Sequence, residues 1–206
     1  MPVPRAEVPS APKSIVVGNG FIRSALCQSD KLMNLPSRKS PRLKNYDYST
    51  PGFYFITICS HQKQCLLGSI SSASSNDTVF MHLSLLGQIV DSEIRAVEHH
   101  YPNVKVNKYV VMPNHVHLIL QIQQSVPYCG TDKSVPYSIP NIVGKLKAAS
   151  TRVARKSNLL SSTAPLWQKS YHDHVIRSNM DYQQIWKYID ENPAKWKLDC
   201  FYSLEP

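Results

Sequence analysis

Residues 104–122 constrain the fold more than any other part of the sequence. Two strand-like segments, VKVNKYVVM and HVHLILQI, are separated only by Pro113 and Asn114. Each segment is rich in β-branched and other apolar residues over the length of a strand, and the connection is as short as a tight turn. The sequence therefore predicts a β-hairpin over these residues.

The second strand of this hairpin carries two histidines one residue apart. Side chains alternate between faces along a strand, so His115 and His117 share the face opposite Val116 and Leu118. They start about 6.6 Å apart, at roughly 3.3 Å per residue, and both imidazoles can converge on one cation or one phosphate. The alternative is a half-exposed hairpin with two surface histidines. Because ligation needs neutral imidazole, metal binding is expected to weaken as the pH falls through about 6.5, the reference histidine pKa.

Local patterns divide the remaining chain into one domain with two irregular stretches. Residues 1–37 are rich in Pro and Ser without periodicity and predict a disordered N-terminal extension to a single domain over 38–206. A flexible loop is expected near 124–139, where Ser-Val-Pro-Tyr occurs twice. The patterns predict strands over 53–59 and 174–178, with a polar loop over 69–78. They predict three helices: one that begins at Ser84 and ends before Pro102, one from about Pro140 and one over 181–192.

The overall charge limits the classes of partner. The chain has 23 Lys and Arg against 14 Asp and Glu, a formal charge of +9, which favours a polyanion such as nucleic acid or an anionic membrane surface. A basic protein without such a partner is the alternative. No segment has the roughly 18 apolar residues that a spanning helix needs, and the N-terminus does not resemble a secretory signal. Five scattered cysteines without a CxxC pair suggest reduced thiols in a cytoplasm, away from any membrane.

Basic residues are concentrated between positions 141 and 177. Lysine and arginine flank the apolar stripe of the predicted helix and continue beyond it, with Asp173 as the acid among them. Such a band binds DNA phosphates without reading sequence. For any single residue, a solvated helix face is the alternative. The candidate DNA contacts are Lys145, Lys147, Arg152, Arg155 and Arg177.

The last predicted helix offers a reactive group and a metal ligand. Tyr188 and Asn192 are four residues apart and so share one helix face, which we expect to lie opposite the Ile185 and Ile189 stripe. A divalent ion near a tyrosine stabilises the phenolate and makes it a nucleophile. The amide oxygen of Asn192 is a ligand suited to Mg²⁺ or Mn²⁺. An ordinary half-buried aromatic residue is the alternative for Tyr188.

Two longer strings, YVVMPNHVHLIL and YHDHVIRSNMDYQQIWKYIDENPAKW, resemble the single-tyrosine HUH transposases of bacterial insertion sequences, and most of all the REP-associated tyrosine transposases. The resemblance extends from about Arg38 to Tyr202 and leaves out the loop at 125–137. It implies that His115 and His117 are the metal-binding histidines and that Tyr188 is the nucleophile. Asn192 matches the position of a third metal ligand, which is often Gln in relatives, and His174 is expected to support the site from its periphery.

The resemblance also implies a fold and an activity. The fold is α+β, an antiparallel sheet with packed helices in a ferredoxin-like arrangement. The activity is cleavage and rejoining of single-stranded DNA, often beside a hairpin, through a 5′-phosphotyrosine and with Mg²⁺ or Mn²⁺ as cofactor. Two other classes stay open: a catalytically silent DNA-binding protein derived from such a transposase, and a metal-dependent hydrolase with no nucleic-acid partner. A homodimer and a monomer are both compatible with the sequence.

Overall fold

The computed structural model describes residue 43 and residues 45–72, 79–124 and 137–202. The predicted N-terminal extension over 1–37 lies outside the described residues, and so does most of the predicted flexible loop over 124–139. These two features, and the division of the chain that follows from them, stay predictions.

The described part of the chain contains six strands and four helices. Two short 3-10 turns, His61–Lys63 and Trp196–Leu198, accompany them. The strands are β1 Gly52–Cys59, β2 Gly68–Ser72, β3 Val79–Leu83, β4 Val104–Val111, β5 His115–Ile122 and β6 His172–Ile176. The helices are α1 Leu85–Arg95, α2 Val97–His100, α3 Ile139–Lys156 and α4 Asn179–Glu191.

Four strands form the main sheet, in the order β4-β5-β1-β6 with every neighbouring pair antiparallel. The predicted hairpin is β4 and β5, and the tight turn at Pro113 and Asn114 joins them. The register aligns His115 with Cys59 and His117 with Thr57 on β1. The arrangement confirms the predicted α+β class, with an antiparallel sheet and packed helices.

The predicted polar loop over 69–78 is wrong at its first residues. Residues 69–72 belong to β2, which pairs with β3 from Gly68 opposite Leu83 to Ser72 opposite Val79. The Ser-rich composition favours turns locally, but backbone hydrogen bonds to β3 decide the conformation because strand pairing depends on the partner strand more than on intrinsic propensity. Residues 73–78 lie outside the described part of the chain.

The main sheet separates two hydrophobic cores. Val116 and Leu118 belong to the first core, on the face that α1 and α3 cover. Ile119 belongs to the second core, together with Ile185 and Ile189 of α4. The two-residue alternation read from β5 therefore describes both faces correctly, and α4 lies on the same side of the sheet as the two histidines.

Ser84 caps α1 as predicted, but the helix expected to continue up to Pro102 is divided at Ala96 into α1 and α2. Ser178, predicted as the last residue of a strand, instead lies after β6 and caps α4. The Ser84 hydroxyl accepts a hydrogen bond from the Gly87 N–H at 3.1 Å and caps α1, and the Ser178 hydroxyl caps α4 by accepting from the Asp181 N–H at 3.1 Å. Helix α4 ends at Glu191, two residues before Pro193. In the part of the chain that the structure describes, no helix has the length and apolar character that a membrane crossing requires.

Candidate active site

The two histidines of β5 lie inside the protein. His115 and His117 are both 0% exposed, and their ring centroids are 4.4 Å apart. The aromatic side chains of Phe55, Tyr188 and Phe201 pack around them. The alternative of a half-exposed hairpin with surface histidines is therefore excluded, because α4 and the C-terminal segment cover this face.

The hydrogen bonds of Asn114 fix the orientation of His115. The Asn114 side-chain NH₂ donates to the carbonyls of Lys63, at 3.0 Å, and Phe201, at 2.7 Å. The Asn114 Oδ1 atom is therefore the acceptor in its 2.8 Å contact with His115 Nδ1, which must carry the proton. In this tautomer Nε2 of His115 holds a lone pair, and this buried atom has no hydrogen-bond partner.

His117 is oriented in a similar way by the neighbouring strand. Its Nδ1 atom lies 2.8 Å from the Thr57 hydroxyl, directly across from it on β1. Its Nε2 atom lies 3.3 Å from the hydroxyl of Tyr188. Both histidines thus use Nδ1 for support and direct Nε2 toward α4 and the C-terminal segment, as is usual for histidines that bind metals.

Burial keeps both imidazoles neutral. It lowers the pKa of His115 to about 3, with a further contribution from the nearby charge of Lys63. Burial also lowers the pKa of His117 well below the usual value, and proximity to His115 adds to this effect, while Asp199 opposes it. The neutral imidazoles that metal binding needs therefore persist in the folded protein below pH 6.5, so we expect the loss to occur at a lower pH than the reference histidine pKa indicates.

Helix α4 places Tyr188 and Asn192 beside the histidines. The predicted position opposite Ile185 and Ile189 is wrong, since Tyr188 packs against the same core as those residues. At about 100° per residue, Tyr188 lies only roughly 60° around the helix from Ile185. The Tyr188 hydroxyl also lies 3.4 Å from Oδ2 of Asp199. Burial raises the pKa of Tyr188, and the negative charge of Asp199 raises it further, so the phenol is protonated.

Asn192 is buried at the end of α4 and has one unused oxygen. Its side-chain NH₂ donates to Oδ2 of Asp199 at 2.8 Å. Its Oδ1 atom is buried without a hydrogen-bond partner. The amide is therefore held beside Asp199 with an acceptor that has no hydrogen-bond partner, as a third metal ligand would require.

Asp199 is a member of the site that the sequence did not reveal. One ligand atom each from His115, His117 and Asp199 lie within 4.8 Å of one another, a group that can hold a metal ion. The backbone N–H of Phe201 donates to Oδ1 of Asp199 at 2.7 Å and fixes the carboxylate. No spacing motif includes Asp199, which follows the 3-10 turn Trp196–Leu198 rather than a patterned helix or strand.

The available donor atoms fit a divalent ion. Two neutral imidazole nitrogens lie close to a carboxylate oxygen of Asp199, and Asn192, which contacts that carboxylate, has an unpartnered Oδ1. Mixed nitrogen and oxygen ligands suit Mn²⁺ and, less strongly, Mg²⁺. A buried polar atom without a partner costs free energy. A cation bound to Nε2 of His115 and Oδ1 of Asn192 would satisfy both of the unpartnered atoms.

The predicted DNA contacts lie away from these ligands. Arg152 and Arg155 on α3 line a groove of about 540 Å³ together with Lys147, Lys169 and neighbouring residues of the segment 165–169. The Lys147 ammonium donates to the carbonyl of Gln168 at 2.6 Å and approaches two further carbonyls, so it holds this segment against α3.

Three other predicted residues lie outside the groove and the ligand cluster. Lys145 lies over the ring of Tyr101, 5.5 Å from its centroid, and Arg177 is exposed just after β6. His174 contacts Asp181 in the first turn of α4, at 2.8 Å, and is half exposed. The His174 contact stabilises the packing of β6 on α4, and His174 is not a member of the group formed by the two histidines and Asp199.

Comparison with known proteins identifies the family. The family model described as "Transposase IS200 like" matches residues 89–192, half of the chain, and this range contains both histidines and Tyr188. An uncharacterized protein of Haemophilus influenzae is 36% identical over 176 residues, which cover 80% of this chain and 93% of that protein. The chain belongs to the IS200-like transposase family, and the family predicted from the sequence strings is confirmed.

Two solved structures match about three quarters of this chain at low sequence identity. One is a REP-associated tyrosine transposase bound to a REP hairpin, with 22% sequence identity and a TM-score of 0.49. The match covers 75% of this chain and 73% of the chain in that structure. The other is a candidate transposase from Deinococcus radiodurans, with 20% sequence identity and a TM-score of 0.44. The match covers 73% of this chain and 95% of the chain in that structure.

Proposed function

We propose that this IS200-like transposase cleaves and rejoins single-stranded DNA, beside hairpins, through a 5′-phosphotyrosine on Tyr188. The observation that carries the proposal is the position of the Tyr188 hydroxyl, 3.3 Å from Nε2 of His117. It brings a nucleophile of the right kind next to a metal-binding pair. The protein acts on DNA, and we assign it to the cytoplasm for that reason.

Tyr188 supplies the attacking oxygen. Its phenol oxygen forms a bond to the phosphorus, and the bond from phosphorus to the 3′ oxygen breaks, so that the 5′ phosphate stays on the protein. Because burial and Asp199 favour the protonated phenol, the proton must leave as the new bond forms. Oδ2 of Asp199, 3.4 Å away, is in place to accept it, and the departing 3′ oxygen takes up a proton to become a hydroxyl. Attack by another 3′-hydroxyl reverses the step and rejoins strands.

His115 and His117, with an oxygen of Asn192 or Asp199, would hold a divalent ion, Mg²⁺ or Mn²⁺. When bound, the ion supplies Lewis-acid stabilisation of the charge that develops on the phosphate oxygens. The Nδ1 contacts with Asn114 and Thr57 keep both imidazoles aimed at the same point. Phe55 and Phe201 pack against these rings and restrict water around them.

The basic groove on α3 would bind the DNA backbone. Arg152, Arg155 and Lys169 line it, and Lys147 holds one of its walls. Lys145 and Arg177 extend the positive charge beyond the groove. Because these contacts are electrostatic, they position the strand without selecting its sequence.

Transfer of a labelled DNA phosphate to the protein tests this function. Oligonucleotides tiled across the DNA that flanks this protein's gene, labelled at the 3′ end so that the label stays with the fragment whose 5′ phosphate is bound to Tyr188, are incubated with Mn²⁺ and separated under denaturing conditions. We expect a covalent adduct that disappears in chelator. DNA binding without an adduct would indicate a silent DNA-binding protein, and hydrolysis of a small phosphodiester without DNA binding would indicate a hydrolase.

A further inference from the structure

The turn after β1 is held in an unusual conformation next to the site. Gln62 and Lys63 both have positive φ, 54° and 57°, a conformation that residues other than glycine rarely adopt. Such conformations persist where the surrounding structure fixes them, and they are frequent at functional sites. Here the Lys63 carbonyl accepts the hydrogen bond from Asn114, the residue that orients His115. The backbone of Lys63 is therefore connected to the metal-binding pair.

The side chain of Lys63 lies over the aromatic ring that covers the two histidines. Its ammonium is 5.3 Å from the centroid of the Phe201 ring, and that ring is 4.7 Å from His115 and 6.1 Å from His117. Lys63 is exposed to solvent although the histidines are buried. Its charge contributes to the lowered pKa of His115, which is consistent with this proximity. Lys63 thus combines access to solvent with proximity to the site.

A bound divalent ion would lie near the positive charge of Lys63, in a ligand group that contains one carboxylate, Asp199. A phosphodiester brings negative charge to both cations at once, and an ammonium is a good partner for a phosphate oxygen.

We propose that Lys63 contacts a phosphodiester of single-stranded DNA at the cleavage site and positions it for Tyr188. This inference rests on the proposed function and adds a residue to it. Lys63 precedes the matched family range of 89–192 and lies outside the basic band on α3. The DNA strand would then pass over Phe201 and the 3-10 turn His61–Lys63 as it enters the site.

Binding to a protein that cannot cleave tests the contact independently of the chemistry. In a Tyr188→Phe background, with the fluorescein-labelled tiled oligonucleotides as probe, Lys63→Met should weaken binding about three- to tenfold and lower the salt dependence by about one phosphate contact. Lys63→Arg should restore binding to within about twofold. Lys105→Met is the matched control, because Lys105 is likewise an exposed lysine and lies on β4 opposite Gln121, away from the two histidines.

Two further readouts separate a phosphate contact from a structural role. In chelator, where no metal ion contributes, a neutral methylphosphonate at the cleaved position should weaken binding to the Lys63-containing protein by the same factor as Lys63→Met, and it should add no further loss to Lys63→Met. The methylphosphonate penalty itself is measured on the protein that retains Lys63, and its absence would overturn the contact even where Lys63→Met folds poorly. Lys63→Met should also bind Mn²⁺ at least as tightly as the parent protein, because a repelling charge is removed, whereas a collapse of the turn would weaken Mn²⁺ binding.

The outcomes distinguish this inference from the proposed function. Two results would overturn the phosphate contact even where Tyr188 forms the adduct. One is an equal loss of DNA affinity in Lys63→Met and Lys105→Met. The other is a methylphosphonate penalty that adds to the loss caused by Lys63→Met. Position-specific binding that depends on Lys63, without any adduct in the wild-type protein, would support the contact and overturn the proposed chemistry. Absence of DNA binding by the wild-type protein would contradict both.

Discussion

The hydroxyl of Tyr188 lies 3.3 Å from Nε2 of His117, although the two residues are 71 positions apart in the sequence. Helix α4 and strand β5 pack through Ile185, Ile189 and Ile119, and this packing sets the separation of the two side chains. The site is thus assembled by one hydrophobic core rather than by a loop. Its geometry should be rigid, and its residues should contribute to both stability and function.

His115 should make the protein less stable in acid. Burial lowers its pKa to about 3 in the folded state, against about 6.5 in the unfolded chain. Between these values the unfolded chain binds a proton that the folded protein does not, so the contribution is complete above pH 6.5 and is lost as the pH falls toward 3. Urea unfolding at pH 7.5 and pH 5 should show a decrease that is smaller in His115→Gln. An equal decrease in both proteins would contradict the buried, neutral state.

Alanine in place of either histidine should abolish Mn²⁺ binding, measured by calorimetry, and should also reduce stability. The sequence alone suggests little effect on stability, but both rings are 0% exposed. His115→Ala would leave a cavity and remove the hydrogen bond to Asn114, for a loss of about 2 to 4 kcal/mol in the free energy of unfolding.

His82→Ala serves as the control for these substitutions, since His82 is exposed on β3 and contacts Ser71. It should bind Mn²⁺ normally and lose little stability. Normal Mn²⁺ binding by folded His117→Ala would show that the pair is not a metal site.

Asp199 and Asn192 can be compared as the third ligand. Asp199→Asn keeps an oxygen that can accept from the Phe201 N–H but removes the charge, and we expect Mn²⁺ affinity to fall about 10- to 100-fold. Asn192→Ala removes the free Oδ1 and the hydrogen bond to Asp199, with a smaller expected loss because water can replace an amide oxygen. Calorimetric titration with Mn²⁺ measures both. Unchanged affinity in both variants would exclude either oxygen as a ligand.

Asp199→Asn should also make Tyr188 easier to deprotonate. The carboxylate contributes to the raised pKa of the phenol, so its neutralisation should lower that pKa toward the ordinary value. Ultraviolet titration of the phenolate absorbance, with Tyr188→Phe subtracted to isolate the one residue, tests the shift. A pKa of Tyr188 that is the same with Asp or Asn at position 199 would show that the two groups do not interact.

The groove on α3 should bind DNA through charge. Arg152→Ala combined with Arg155→Ala removes two cations from the groove. The double variant should bind single-stranded DNA more weakly, and the salt dependence of its affinity should decrease by about one to two phosphate contacts. Fluorescence anisotropy at several salt concentrations measures this, with Lys105→Ala as the control. A loss of affinity with an unchanged salt dependence would contradict an electrostatic contact.

Strands β1, β4 and β5 and the two histidines were predictable because their signals are local. Alternation along β5 places His115 and His117 on one face whatever the rest of the chain does, and Ser84 marks the start of α1 by its own hydrogen bond. The hairpin β2–β3 was not predictable from its Ser-rich first strand, because its pairing depends on a partner strand. The resemblance of the two strings supplied the family, which the residue patterns alone did not.

Asp199 and the protonation states depended on tertiary packing. Asp199 reaches the site because Trp196 is buried and the following turn directs the carboxylate to Asn192. No periodic pattern in the sequence indicates this position. The reference pKa of histidine applies to solvent, whereas β5 is covered by α4 and Phe201. The side of α4 on which Tyr188 lies was predicted wrongly, because its wide apolar face includes Tyr188 as well as the two isoleucines.

The covalent adduct on Tyr188 tests the central claim most directly. The wild-type protein, Tyr188→Phe and Tyr182→Phe are incubated with labelled single-stranded DNA and Mn²⁺, and the adduct is mapped by mass spectrometry of protease fragments. Tyr182 is the matched control, since it lies on the same helix and its hydroxyl contacts Asn107 instead of a histidine. The account predicts an adduct on Tyr188 in the wild-type and Tyr182→Phe proteins and none in Tyr188→Phe. An adduct that persists in Tyr188→Phe, or that maps to Tyr182, would contradict it.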